Sequence, residues 1–206
     1  MLNKLQTLND QQKDILKEIA NICAGNAATA LSQLMNKKIQ MNVPQIHLDK
    51  VRNVPEIVGG ADVSVVGVMF QVFGNAPGFI MLLFPREDAH ILASILTQEK
   101  NTTGIFTPLD ESAIKEAGSI LTAAYLNTLS QFTKLGLVPS APGIVIDMAG
   151  ALVDYILIEL SSVTEYALLI DSQFMEEGKS VKGHFFLLPN PGSLEAILKA
   201  IGVEND

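Results

Sequence analysis

Apolar positions recur with a period near 3.6 from Asn9 to about Met35. Ile15, Leu16, Ile19, Ile22, Cys23, Leu31, Leu34 and Met35 form one stripe, which predicts a long amphipathic helix. Asn9 is a suitable N-cap, and Gln12 stands three residues on, as in a capping box. The middle of this helix, residues 24–30, is built mainly from small residues. Gly25 costs about 1 kcal/mol relative to alanine in a helix interior, and the expected return is close approach of another backbone. A second long helix is predicted to about Phe132, with Thr107 as N-cap, Pro108 at the first helical position and Asp110 at capping-box spacing.

Each helix is followed by β-type sequence. Pro44 to Val51, Val63 to Val72 and Phe79 to Phe84 are the strand candidates of the first half, with residues 74–78 as a turn between the last two. Ile144 to Met148, Tyr166 to Gln173 and His184 to Leu188 are those of the second. Pro85 and Pro189 each close a strand and lead into a short helix, Glu87 to Leu96 and Ser193 to Ile201. The runs Phe79 to Phe84 and His184 to Leu188 are largely apolar, as central strands are. One segment breaks the parallel. Residues 149–160 read as helix or strand, and a short extra helix beginning near Met148 is preferred, whereas Pro55, Gly59 and Gly60 make the matching residues 53–60 poor helix.

The parallel is a repeat at fixed offset. Asp14 and Ser112, Glu18 and Glu116, Asn21 and Ser119, and Pro44 and Pro142 each stand 98 residues apart. So do Asn9 and Thr107, Lys17 and Lys115, Ile22 and Ile120, and Asp49 and Asp147. Such agreement predicts internal repeats, about 9–97 and 107–202, within a single domain spanning residues 1–206. The proline offset grows to 104 between Pro85 and Pro189, so the second half carries an insertion, for which the loop 175–180 is one place. The expected fold is α+β: two pseudo-symmetric halves share a mainly antiparallel sheet, with the two long helices packed on one face.

Composition narrows the chemistry. Of 206 residues 48% are hydrophobic and 17% charged, which makes a packed globular chain. The net charge of −8 argues against nucleic acid and against anionic membranes as partners. No apolar run reaches the length of a membrane span and the N-terminus is polar, so no membrane insertion and a cytoplasmic location are expected. A single cysteine excludes an intramolecular disulfide. Cys23 reads as a small core residue. The three histidines, His47, His90 and His184, are expected at the surface or at strand edges; they fit neither a metal-ligand spacing nor a triad. No phosphate-binding or dinucleotide glycine fingerprint is present.

What remains is the polar triplet. Residues at i, i+4 and i+7 lie on one helical face, so Asp14, Glu18 and Asn21 form a short strip beside the apolar stripe. A carboxylate and a carboxamide one turn apart make a poor stand-alone hydrolase. They can enter another protein's active site, where the carboxylate pairs with a lysine and the carboxamide orients a water, as a GTPase glutamine does. Asp14 also suits the first turns of a helix through the helix dipole alone. Pro44 and Pro142 also suit strand entry.

The segment DILKEIANICAGNAATALSQLMNKKIQMNVP resembles the first motif of the CheC family of chemotaxis phosphatases, relatives of CheX and FliY. That motif is Asp or Ser, three residues, Glu, two residues, Asn, twenty-two residues and Pro. Asp14, Glu18, Asn21 and Pro44 meet it, and Ser112, Glu116 and Pro142 meet it again with Ser119 in place of Asn. The resemblance covers essentially the whole chain. It implies dephosphorylation of the response regulator phospho-CheY, with Glu18 on the regulator's lysine, Asn21 orienting the hydrolytic water, and Glu116 repeating the role of Glu18. The phosphate and Mg²⁺ would belong to the partner, and no metal or cofactor to this chain. Ser119 is too short to replace the carboxamide, so the second site is expected to be weak or to bind only. The resemblance implies a further partner, the receptor deamidase CheD, on Ile144 to about Leu160, with Asp147 as the candidate contact. Because CheX relatives are dimers with one motif per chain, a chain holding both is expected to be a monomer. Two alternatives stay open: a non-catalytic adaptor for CheD or CheY, and a flagellar-switch component of the FliY kind.

Overall fold

The computed structural model describes residues 9–43, 46–99, 103–159, 166–176 and 179–201. The element order runs twice. Helix α1 (Asp10–Met35) leads to β1 (Gln40–Asn42), β2 (Ile46–Lys50), a 3₁₀ turn, α2 (Val54–Ile57), β3 (Ser64–Gly74), β4 (Gly78–Pro85) and α3 (Arg86–Thr97). Helix α4 (Pro108–Thr133) then leads to β5 (Leu137–Pro139), β6 (Gly143–Met148), α5 (Ala149–Glu159), β7 (Tyr166–Glu176), β8 (Lys179–Pro189) and α6 (Ser193–Ala200).

Both long helices begin as their cap residues dictate. Asn9 Oδ1 accepts from the Gln12 amide at 2.8 Å, and Gln12 Oε1 accepts from the Asn9 amide at 2.9 Å. Thr107 and Asp110 make the same reciprocal pair at 3.2 and 2.9 Å. Each box satisfies amides that the helix itself leaves without acceptors.

The sheet is antiparallel throughout, ordered β1-β7-β8-β4-β3-β5, with β2 also on β7 and β6 also on β3. The halves exchange strands: β1 and β2 pair with β7 of the second half, and β5 and β6 pair with β3 of the first. The apolar β4 and β8 meet at the centre, with Gly78 opposite Pro189 and Leu83 opposite His184.

Alternate residues of these strands feed two cores. Val66, Val68, Phe70, Ile80, Leu82, Phe84, Phe185 and Leu187 pack with α1, α3, α4 and α6 on one face. Val65, Met81, Leu83, Leu169, Phe186 and Leu188 pack with α2 and α5 on the other. The expected layer of two long helices is therefore present, but the opposite face is covered as well. Strands buried on both faces lose the polar alternation of a half-solvated sheet, which is why the runs read as almost continuously apolar.

Four expectations need correction. Residues 53–60 were expected to be poor helix, yet 51–57 form a 3₁₀ turn and the one-turn α2 in the place that α5 fills in the second half. Pro55 sits in the first turn, where its missing amide costs nothing, and Gly59 and Gly60 follow at φ 110° and 125° and end the helix. The insertion does not fall mainly in the 175–180 loop, of which 177–178 lie outside the described residues. Ser64 pairs with Met148 and Lys50 with Tyr166, so equivalent positions are 98 apart before α5 and 102 apart after it. Most of the extra length lies between Met148 and Tyr166. The predicted stripe of α1 is too wide: Ile22 and Leu34 are 39% and 56% exposed. His90 is not a surface residue either. Its ring stacks on Phe106 at 3.9 Å, and both ring nitrogens are buried.

Candidate functional site

Leu16, Ile19, Ala20, Cys23, Ala24, Ala27 and Leu31 are buried along one side of α1 and fix its rotation against the sheet and α4. The two helices meet near their middles. The Cys23 thiol donates to the Tyr125 carbonyl at 3.8 Å, and Asn26 Nδ2 donates to Thr128 Oγ1 at 3.2 Å. Small residues permit the crossing: Ala24, Ala27 and Ala28 are buried there. On the sheet side, a Cβ added to Gly118 would stand 3.0 Å from Val68 Cγ1, so α4 rides close on β3.

With those faces turned inward, Asp14, Glu18 and Asn21 are turned outward. All three are exposed on one side of α1. Among the described residues, neither Glu18 nor Asn21 is held by a hydrogen bond or ion pair. A carboxylate and a carboxamide are thus presented free on a rigid rod. Cavities of about 540 and 480 Å³ lie elsewhere, the first at the C-terminal end of α1 and the second between β6 and α5. A strip of exposed side chains along one helix cannot enclose a small substrate, but it fits into the cleft of a larger one. Among the described residues, no group of three or more histidine, cysteine or acidic side chains could hold a metal ion.

The second strip lies on α4. Ser112 and Glu116 are exposed, as their counterparts are. Ser119 departs. It is half-buried, and its hydroxyl donates to the Lys115 carbonyl one turn back at 2.9 Å. The donor is spent on its own helix.

The remaining candidates are spread over the sheet edges. Pro142 is half-buried just before β6, the position of a strand-entry residue. Pro44 lies outside the described residues. Asp147, at the end of β6, is exposed, and its carboxylate accepts from the following amide, that of Met148, at 2.8 Å. Its counterpart Asp49 accepts in the same way from the Lys50 amide at 2.6 Å and also from Asn53 Nδ2 at 2.8 Å. Both aspartates therefore shape a strand-to-helix turn. Asp147 additionally borders the 480 Å³ groove with Met69, Ile144, Leu152 and Tyr155. The structure brings Glu18 and Asn21 together on one strip; it sets Asp147 apart, on the helix α5 side. Gly25 belongs to the first strip too, and the recurring seven-residue spacing from Glu18 was the signal for it.

Burial governs the two ionisable groups at the helix crossing. It pushes the Cys23 thiol from 9.0 up to about 12, against a smaller opposing effect of the Thr128 hydroxyl. Burial likewise pushes the Tyr125 phenol well above its ordinary value, with Cys23 adding to the effect. Neither group faces the strip.

Comparison with known proteins finds relatives along the whole chain. The model of the CheC-like family matches residues 12–48, the stretch that holds Asp14, Glu18, Asn21 and Pro44. The CheY-P phosphatase CheC of Bacillus subtilis (strain 168) is 34% identical over 200 residues, covering 95% of this chain and 96% of its own. The crystal structure of Thermotoga maritima FliY matches with a TM-score of 0.77 at 20% identity, over 95% of this chain and 98% of that one. A chain from the FliG–FliM complex of H. pylori matches with a TM-score of 0.69 at 12% identity, over 93% and 100%. At such identities these two structures speak for the fold alone.

Proposed function

We infer a function from one premise: the chain belongs to the CheC-like family. It is a phosphatase of chemotaxis signalling. Its substrate is the phosphorylated response regulator CheY, and the bond it hydrolyses is the acyl phosphate of the regulator's aspartate. The observation that carries this reading is the pair Glu18 and Asn21, exposed and, among the described residues, free on one face of α1, away from the cavities at the C-terminal end of α1 and between β6 and α5.

In this hydrolysis a water oxygen bonds to phosphorus, the P–O bond to the aspartyl carboxyl breaks, and inorganic phosphate leaves. The catalyst's share is positioning and charge stabilisation. The Glu18 carboxylate pairs with the lysine of the regulator's active site and anchors the complex. The Asn21 carboxamide both donates and accepts, so it can hold the attacking water in line with the scissile bond. The regulator itself carries the phosphate and Mg²⁺; this chain contributes side chains to a site it does not contain. The second strip offers Glu116 for the same anchor, but the Ser119 hydroxyl is shorter and already donates to Lys115. The second strip is therefore the weaker catalyst. The groove beside Asp147, with Tyr155 58% and Met148 49% exposed, is the place for the deamidase partner CheD.

The test is the decay of phosphorylated CheY with and without this protein. Decay is expected to accelerate at substoichiometric protein. Unchanged decay at saturating protein would replace the enzyme by an adaptor.

A further inference from the structure

Gly25 occupies the strip of Glu18 and Asn21, and among the described residues nothing accounts for a glycine there. At 100° per residue Asp14, Glu18, Asn21 and Gly25 fall within about 60° of arc, with Gly25 near the middle. Glycine weakens a helix interior more than any residue except proline. Two internal reasons would justify it, and both fail. Among the described residues, a Cβ at Gly25 would meet nothing within 4 Å, and the residue is exposed. Its φ is not among the positive ones, so no unusual backbone conformation asks for glycine. Among the described residues, the expected approach of another backbone is absent; Gly118 and Gly67, by contrast, have neighbours closer than 3.4 Å.

The second repeat sharpens the comparison. Ala123 stands 98 residues after Gly25, and it is half-buried. Ile22, beside the first strip, is 39% exposed, whereas its counterpart Ile120 is partly buried against the core. Thus the strip with the intact asparagine is flanked by bare backbone and an exposed apolar side chain. The strip with the serine has alanine in place of the bare backbone and a partly buried isoleucine, and the exposed apolar residue next to it is Leu109, at the start of α4.

We propose that Gly25 is a docking position for the phosphorylated regulator: the missing Cβ lets the regulator's surface close onto the backbone of α1, with Ile22 as an apolar anchor beside it. The proposal rests on the phosphatase reading above. The asparagine side chain is short, so the water it holds lies within a few ångström of the helix. A methyl group one turn further along the same strip stands in the partner's path.

The experiment compares wild type, Gly25→Ala and, as a control, Ala123→Gly. Three readouts are taken: melting temperature, KM and kcat for phospho-CheY decay, and affinity for CheY locked in its active form by beryllium fluoride. Gly25→Ala is expected to raise the melting temperature by a few degrees, because the position is open and helical. It is expected to raise KM and weaken binding at least about fivefold, with kcat less affected. Ala123→Gly should leave KM unchanged. A Gly25→Ala protein of raised stability with wild-type KM and affinity overturns the proposal. If wild type fails to accelerate decay, the phosphatase reading falls alone, and the affinity comparison still decides: weaker binding by Gly25→Ala supports docking at Gly25, and equal binding refutes it.

Discussion

Ser119 donates its hydroxyl to the Lys115 carbonyl, whereas Asn21, at the same place in the first repeat, reaches solvent with both ends of its amide free. From this difference Asn21→Ala is expected to lower the rate of phospho-CheY decay on the order of 10- to 100-fold, the cost of a lost positioning group. Ser119→Ala should change it by less than about twofold. Equal losses from the two changes would contradict a dominant first site. Cys23 carries a second expectation at this scale. Its thiol is raised from 9.0 to about 12 by burial, so the folded state holds its proton more tightly than the unfolded chain does. The stability this confers is fully present below pH 9 and is lost as pH rises from there towards 12. Thiol reagents at pH 8 should leave the native protein unlabelled and label it fully in denaturant, and the urea midpoint should fall through that alkaline window. Rapid labelling of the native protein would place Cys23 at the surface.

Caps and flanking residues act at the scale of the element. The box of Asn9 and Gln12 holds the turn from which Asp14 and Glu18 project, and Gln12 is 2% exposed. Asn9→Ala should cost about 1 kcal/mol, read as a lower urea midpoint. Phosphatase activity should survive, because the buried stripe holds the rest of α1. The caps were legible in the sequence because each box spans four residues. The rotation of the helix was not. A period of 3.6 admits an apolar band with Ile22 and Leu34 on its edges, and only the position of α4 and the sheet leaves both of them exposed. The same holds for α5, which is apolar nearly all round: Leu152, Val153 and Ile156 face the sheet, while Tyr155 and Ile158 remain outside.

At the scale of the whole molecule, the exchange of strands between halves gives a sheet with cores on both faces. Gly67 shows how tightly the second cover is packed: an added Cβ would stand 2.8 Å from Leu152 of α5, 3.1 Å from Val145 and 3.2 Å from Leu83. Gly67→Val should therefore destabilise the protein by about 1–3 kcal/mol in urea unfolding, and a neutral result would mean that α5 does not lie against β3. The sequence alone determined the repeat, the two capped helices, the apolar strands and the shared face of Asp14, Glu18 and Asn21, because periodicity and capping are written within a few neighbouring residues. Tertiary structure decided what depends on partners far along the chain. It gave the three-residue strands β1 and β5 their places on β7 and β3. It laid α2 and α5 over the second face and buried His90 against Phe106. It left Gly25 with no described neighbour within 4 Å of an added Cβ, and it spent the Ser119 hydroxyl on the helix's own backbone. Those outcomes follow from which surfaces meet, and contacts across about a hundred residues leave no local period to read.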